Sequence, residues 1–327
     1  MILAGDIGGT KTVLTLLDQQ TDGSLNCLCE QTYASAEFQT FEAVLDLFLS
    51  AGQTVESACF GVAGPVIGQR CQTTNLPWVL DGGQLSQRLG TGRVKLLNDL
   101  EAMAVGMLHL QERDFVELNP NAEPQPGNVA VIAAGTGLGE AILHWDGTGY
   151  TPIATEGGHC DFAAQTSQQD LLAAYLRRLY PGHVSYERIL SGMGFSHLYD
   201  FLEASGFAPP CPAVPDDPAS LGLDRNALIS RLGIDGEDPL CQEAVRLFVE
   251  IYGAEAGNLA LKSFATGGVF IGGGIGPKIR PMLESGEFIQ AFTAKGRFQA
   301  LLAKVSVKLA LNPHTPLLGA MHYFSSP

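Results

Sequence analysis

Residues 5–12 read GDIGGTKT and lie between the apolar runs ILAG and TVLTLL. Two short β-type runs around a glycine turn predict a hairpin over Ile2 to Asp18. A tight hairpin needs only one or two glycines, so the third glycine and the hydroxyl residues ask for a second explanation. A turn without Cβ atoms lets backbone N–H groups converge on an anion and lets phosphate oxygens approach closely. Thr10 and Thr12 would add hydroxyl donors. Asp6 is an anion beside that candidate phosphate site, which makes sense if Mg²⁺ intervenes, held directly or through water. An ordinary hairpin is the plainer alternative. A Walker A loop is not, because GxxxxGK[ST] occurs nowhere in the chain and no GxGxxG follows a strand here.

The same device occurs twice. NVAVIAAGTGLGEAILHWDG at 128–147 is again an apolar strand, a turn of Gly and Thr, a second apolar strand and an aspartate. Side by side, LAGDIGGTKTVLTLLD and IAAGTGLGEAILHWD form a weak internal repeat. GTGLG alone is a loop in most proteins. As the partner of the first turn it is a second phosphate nest, and two such hairpins facing each other would hold a polyphosphate between them.

Length and composition bound the rest. The 327 residues exceed one ordinary core and fit two domains of roughly 100 to 200 residues each. Lys+Arg 19 against Asp+Glu 34 gives a net charge of −15, which repels nucleic acid and anionic membrane surfaces, so a small-molecule partner is expected. No apolar run approaches the roughly 20 residues of a membrane helix, and the N-terminus lacks a signal-peptide pattern, so a cytoplasmic protein is expected. Seven cysteines form no CxxC pair and have no histidine at finger spacing, and read as reduced thiols.

Between the two glycine turns the pattern alternates. Phe41 to Leu49 has helical spacing, ESACFGVAGPV returns to a buried strand, VKLL at 94–97 is a strand, and LEAMAVGMLHL from Leu100 is helical. That alternation is the mark of an α/β domain. LNPNAEPQPGN at 118–128 reads as a surface loop or a domain connection. Beyond it, QQDLLAAYLRRLY is a helix stopped by Pro181 and Gly182, and DPLCQEAVRLFVEIYGAEAGNLALKSF is a long one. GGVFIGGGIGPKI at 267–279 is a glycine-flanked strand leading to a helix.

Four further motifs carry candidate chemistry, each with a plainer reading. In LLND (96–99), Asn98 with Glu101 makes a helix-capping pattern. Asp99, however, also stands at a strand's carboxyl end, where open α/β sheets place ligands and where a carboxylate can accept a hydroxyl proton. TEGGHCDF (155–162) is either a solvent-facing turn or a pocket lip whose glycines let a polyhydroxyl ligand lie against the backbone beside Glu156 and His159. SYERILSG (185–192) carries Glu187 and Arg188 before a small-residue turn and in isolation is a helix start with solvated charges. GGVFIGGG is a closely packed strand or a surface for a flat adenine ring.

Together these motifs resemble one family. DxGGT, LLND, AGTGLG, EGGH, ERxLSG and GGVFIGGGI occur here in the same order as in bacterial glucokinases, of the sugar kinase, heat-shock protein and actin superfamily, from Gly5 to about Gly319. The resemblance implies an α/β, two-domain actin-like ATPase (ribonuclease H-like) fold with a deep interdomain cleft. It places a small domain at 1–109, joined by a C-terminal helix at 312–327, and a large domain at 110–311. It implies ATP-dependent phosphorylation of glucose to glucose 6-phosphate by in-line transfer.

Carried over residue by residue, Gly5, Asp6, Ile7, Gly8, Gly9 and Thr10 form the first phosphate loop, and Gly135, Thr136, Gly137 and Gly139 the second. Gly272, Gly273 and Gly274 border adenosine. Asp99 is the general base, and Asn98, Asp99, Glu156, His159 and Glu187, with Asn75 of TTNLPW, bind the sugar. Mg²⁺ is expected at Asp6, directly or through water, with ATP as co-substrate. Expected partners are glucose and ATP, with a homodimer left open and neither nucleic acid nor membrane. A kinase for fructose, mannose or an N-acetylated hexosamine, and a non-catalytic sugar sensor on the same fold, are the alternatives. ROK-type kinases and repressors share DIGGTKT and EGGH-like motifs but carry a cysteine-rich zinc motif after the histidine, where this chain has only Cys160. Lys11 is left open between phosphate and solvent.

Overall fold

The computed structural model describes residues 1–324 except 50–52, 75 and 216–222. The chain divides into two compact units, Met1–Asp114 with Thr151–Ala154 and Asn312–Pro327, and Phe115–Tyr150 with Thr155–Leu311.

The first unit is built on the strands β1 (Ile2–Ile7), β2 (Lys11–Gln19), β3 (Leu25–Ala34) and β4 (Ser57–Val62). A small sheet of β5 (Val66–Ile67), β6 (Arg70–Gln72) and β7 (Val79–Asp81) follows, and β8 (Val94–Asn98) returns to the main sheet. The main sheet runs β3-β2-β1-β4-β8, with β1, β4 and β8 parallel and β2 and β3 antiparallel additions. β4 is paired on both sides and buried along its whole length, so its sequence SACFGV shows no polar alternation. Helices α1 (Phe41–Phe48), α2 (Gly82–Leu89) and α3 (Asp99–Met107) complete the unit up to residue 114.

The second unit repeats the plan. The six-stranded sheet comprises β9 (Phe115–Glu117), β10 (Val129–Ala134), β11 (Leu138–Trp145), β12 (Tyr150–Ala154), β13 (Gly268–Gly272) and β14 (Val307–Ala310), in the order β12-β11-β10-β13-β14-β9. β10 and β11 form the antiparallel hairpin, and β10, β13 and β14 run parallel. Between the hairpin and β13 lie α4 (Ser167–Leu179), α5 (Gly194–Ala204), α6 (Arg225–Ile234) and α7 (Pro239–Ser263). The short α8 (Arg280–Leu283), α9 (Glu287–Thr293) and α10 (Gln299–Leu302) precede β14. α7 begins with Pro239 at its first position and the Asp238 carboxylate accepting from the Cys241 N–H, a strong start signal. Its 25 residues are held by the largest apolar core of the molecule. The chain then returns to the first unit as α11 (Thr315–His322), packed on α3 and β1.

The loop 118–128 lies inside the second unit, anchored by Asn119, whose amide donates to the Ala303 and Val305 carbonyls. No described helix is long and apolar enough to cross a membrane.

Candidate active site

In the first unit, register decides what meets. Ile7 lies opposite Val62, and Val62 opposite Asn98, so β1, β4 and β8 end level at their carboxyl edge. The turn Gly8–Thr10, the Ala63–Gly64 bend and the start of α3 therefore emerge together, where open α/β sheets place ligands.

The glycine turn is tied down from outside itself. The Gly8 N–H donates to the Lys11 carbonyl at 3.0 Å. The Ser35 hydroxyl donates to the Gly8 carbonyl at 2.8 Å and also meets the Thr12 hydroxyl at 3.0 Å. Thr12 is thus buried and committed to Ser35, which corrects its reading as a phosphate donor; Thr10 is exposed. Gly5 and the Ile7 side chain pack into the core. Ile7 is buried, and a Cβ on Gly5 would fall 2.8 Å from both Leu14 and Phe60. Asp6 is half-buried, and that burial raises its carboxyl pKa against the opposing pull of Lys11 and His314. The Lys11 side chain itself is exposed.

At the end of β8 both readings of LLND hold. Asn98 Oδ1 accepts from the Leu100 N–H at 2.8 Å, Glu101 returns to the Asn98 N–H, and the capping box is complete. The Asn98 amide also donates to the Gly64 carbonyl at 3.0 Å, so one N–H of that amide remains for a ligand. Asp99 begins α3, half-exposed, with Oδ1 accepting from the Leu100 N–H at 2.9 Å. Asn75 lies outside the described residues.

In the second unit three motifs close on one another. β10 and β13 end level, with Ala133 opposite Gly272, so the GTGLG turn and Gly273–Gly274 emerge side by side. The Ile275 N–H donates to the Ala134 carbonyl. Glu187, in the one-turn helix Tyr186–Arg188, reaches the GTGLG turn, where Oε2 accepts from the Leu138 N–H at 3.0 Å. The same oxygen occupies the place of a Cβ on Gly137, 2.4 Å away. The Gly192 N–H donates to the Gly135 carbonyl at 2.8 Å. Above Gly135 a Cβ would meet nothing within 4 Å, leaving its outer face open.

The glycines of EGGH have a packing role as well: they let the turn rest on β11. A Cβ on Gly158 would lie 2.0 Å from the Leu138 carbonyl oxygen, and one on Gly157 2.0 Å from Glu140 Oε2. Glu156 and His159 are exposed on this seated turn. Its end is fixed by His183, whose Nε2 meets the His159 carbonyl at 2.8 Å and whose Nδ1 pairs with Asp161. Arg188 of ERxLSG is no solvated charge either, since its guanidinium lies over the Tyr180 ring at 4.1 Å.

A glucokinase family model matches residues 3–327. The chain belongs to the glucokinase family. It is 38% identical to the glucokinase of Nostoc punctiforme over 333 residues, covering 98% of this chain and 97% of that one. It is 39% identical to the glucokinase of Synechocystis sp. over 340 residues, 97% and 96% of the two chains. Among solved structures it is similar to a glucokinase from an Antarctic psychrotroph, with a TM-score of 0.84 at 31% identity over 98% of this chain and 97% of that one. The fold is the actin-like ATPase fold of sugar kinases, and the family transfers phosphate to a sugar hydroxyl.

Two residues of these clusters escape motif reading. Ser35 carries no signal, sitting in an unremarked YASAE stretch. Glu140 had one: a glutamate between Leu138 and Ala141 in an otherwise apolar strand.

Proposed function

We propose that this chain transfers the γ-phosphoryl group of ATP to the primary hydroxyl of glucose, giving glucose 6-phosphate and ADP, with Asp99 as general base. The observation that carries the reading is the level carboxyl edge of β1, β4 and β8, which brings Asp99 to the edge from which the glycine turn emerges. Asp99 is held by the Leu100 N–H at the start of α3. It takes the proton as the sugar oxygen attacks phosphorus in line, and ADP departs from the opposite side.

Gly8, Gly9 and Thr10, and likewise Gly135, Thr136, Gly137 and Gly139, are read as the phosphate loops, with the Gly8 and Gly135 N–H groups bonded inside their own turns. Gly272, Gly273 and Gly274 are read as bordering adenosine. Glu156, His159, Glu187 through its second oxygen, and the remaining Asn98 N–H are read as partners of the ring hydroxyls. Pairing every hydroxyl makes a missing or inverted one costly, since it leaves polar groups unpaired. Asp6 offers one hard oxygen ligand, which suits Mg²⁺, an ion that keeps several waters and binds through few carboxylates. When bound, Mg²⁺ would neutralise phosphate charge. The free cysteines fit a cytoplasmic seat.

Asp99→Asn tests this assignment. The amide keeps the size and the acceptor for Leu100 but removes the base. Glucose affinity by calorimetry should stay within about threefold, while turnover falls by about 10²- to 10⁴-fold. Near-normal turnover would remove Asp99 as the base.

A further inference from the structure

Glu140 lies outside every role assigned above, yet it is 1% exposed and stands directly under the EGGH turn. It shares a buried face of β11 with Leu138, two residues earlier. Together the two support the turn. The Leu138 carbonyl lies against Gly158, the Glu140 side chain fills the space beneath Gly157, and the Glu140 carbonyl accepts from the Thr155 hydroxyl at 2.8 Å. That hydroxyl in turn accepts from the Gly157 N–H.

On its other side Glu140 faces α7. Glu255 is fully buried there, and accepts from Asn258 at 2.8 Å and from Lys262 at 3.2 Å. Glu140 Oε1 is buried without a hydrogen-bond partner among the described residues.

We propose that Glu140 is the positioning residue for the turn that carries Glu156 and His159, holding it at the height at which those side chains meet the sugar. The inference rests on the reading that Glu156 and His159 bind sugar. Burial and the neighbouring Glu255 raise the Glu140 carboxyl to about 8, against the pull of Lys262. The other titratable groups of this region are Tyr252 on α7, Tyr186 of the one-turn helix, Cys160 after the turn and Lys295 after α9. Below that pH the turn rests on a neutral side chain. Above it, a buried negative charge appears beneath Gly157, and the turn shifts.

The linkage has a definite sign. The folded state holds this proton up to about pH 8, whereas the unfolded chain releases it near the ordinary glutamate value of 4.5. The stability it contributes is therefore full below the unfolded value and is lost as pH rises through the folded one.

The test is kcat and KM for glucose from pH 6 to 9.5 in the wild type, Glu140→Gln and Glu140→Ala. The wild-type KM should rise above about pH 8, and Glu140→Gln should match the wild type at neutral pH within about twofold but lack that rise. Glu140→Ala should raise KM about tenfold at every pH with kcat within about threefold, its melting temperature showing that it is folded. A Glu140→Gln profile that follows the wild type, or a folded Glu140→Ala with unchanged KM, would overturn the proposal. Wild-type protein that forms no ADP with glucose would instead overturn the functional reading. The positioning claim then stands on NMR of the His159 imidazole, assigned by its loss in His159→Gln. Its signal should shift near pH 8 in the wild type and not in Glu140→Gln, and identical titrations would refute it.

Discussion

The β1–β2 and β10–β11 hairpins are the same element in the same place. Each pairs an antiparallel strand on one side and a parallel strand on the other, and each turn leaves the carboxyl edge of a parallel sheet. What differs is the brace. The first turn is held by a neutral hydroxyl, Ser35, which ties Gly8 to Thr12. The second is held by a carboxylate, Glu187, packed so closely that Gly137 has no room for a Cβ, and by a backbone bond from Gly192. The first brace serves only its own turn. Glu187 sits in the ERxLSG segment, so the second brace ties the GTGLG turn to a segment 49 residues further along the chain. Hairpin geometry is thus a property of the sheet, and the job of each turn is set by side chains from distant parts of the chain.

The comparison can be broken at its glycines. Gly137→Ala places a methyl group on the Glu187 carboxylate and must displace either the turn or that side chain. A shift of about an ångström costs on the order of 10²-fold in kcat/KM, and here both the nucleotide and the sugar KM should move. Gly8→Ala brings its Cβ only to 3.1 Å from the Lys11 carbonyl, so steady-state kinetics should show a loss within about tenfold, confined to the nucleotide. Equal losses at the two positions would mean that the braces do not differ as described. The smallest effect belongs to Ser35→Ala. Losing that hydroxyl should raise hydrogen exchange at residues 8–12 by about fivefold, equivalent to about 1 kcal/mol, and leave residues 135–139 unchanged. A change spread over both turns would contradict a local brace.

Much of this was legible in the sequence, for physical reasons that also explain the failures. The hairpins, β8 and the long α7 announce themselves through apolar period and end signals, and Asn98 with Glu101 was readable as a capping box. β3 was not, because LNCLCEQTYA lies almost wholly exposed at the sheet edge and so carries no apolar alternation. The EGGH glycines are visible in the sequence, but their packing role is not. Glycine marks a close approach, and only the fold reveals that Glu140 and Leu138 lie where the Cβ atoms of Gly157 and Gly158 would be. Ser35 was illegible, since its bond to Gly8 spans 27 residues and nothing local points to it.

The most direct measurement is a coupled assay of ADP release over glucose, fructose, mannose and an N-acetylated hexosamine, with the phosphoryl donor and Mg²⁺ varied in parallel. The account predicts that glucose with ATP leads, that ADP and glucose 6-phosphate form one for one, and that removing Mg²⁺ abolishes both. ATP hydrolysis that no sugar stimulates, or a faster rate with another hexose than with glucose, would contradict it.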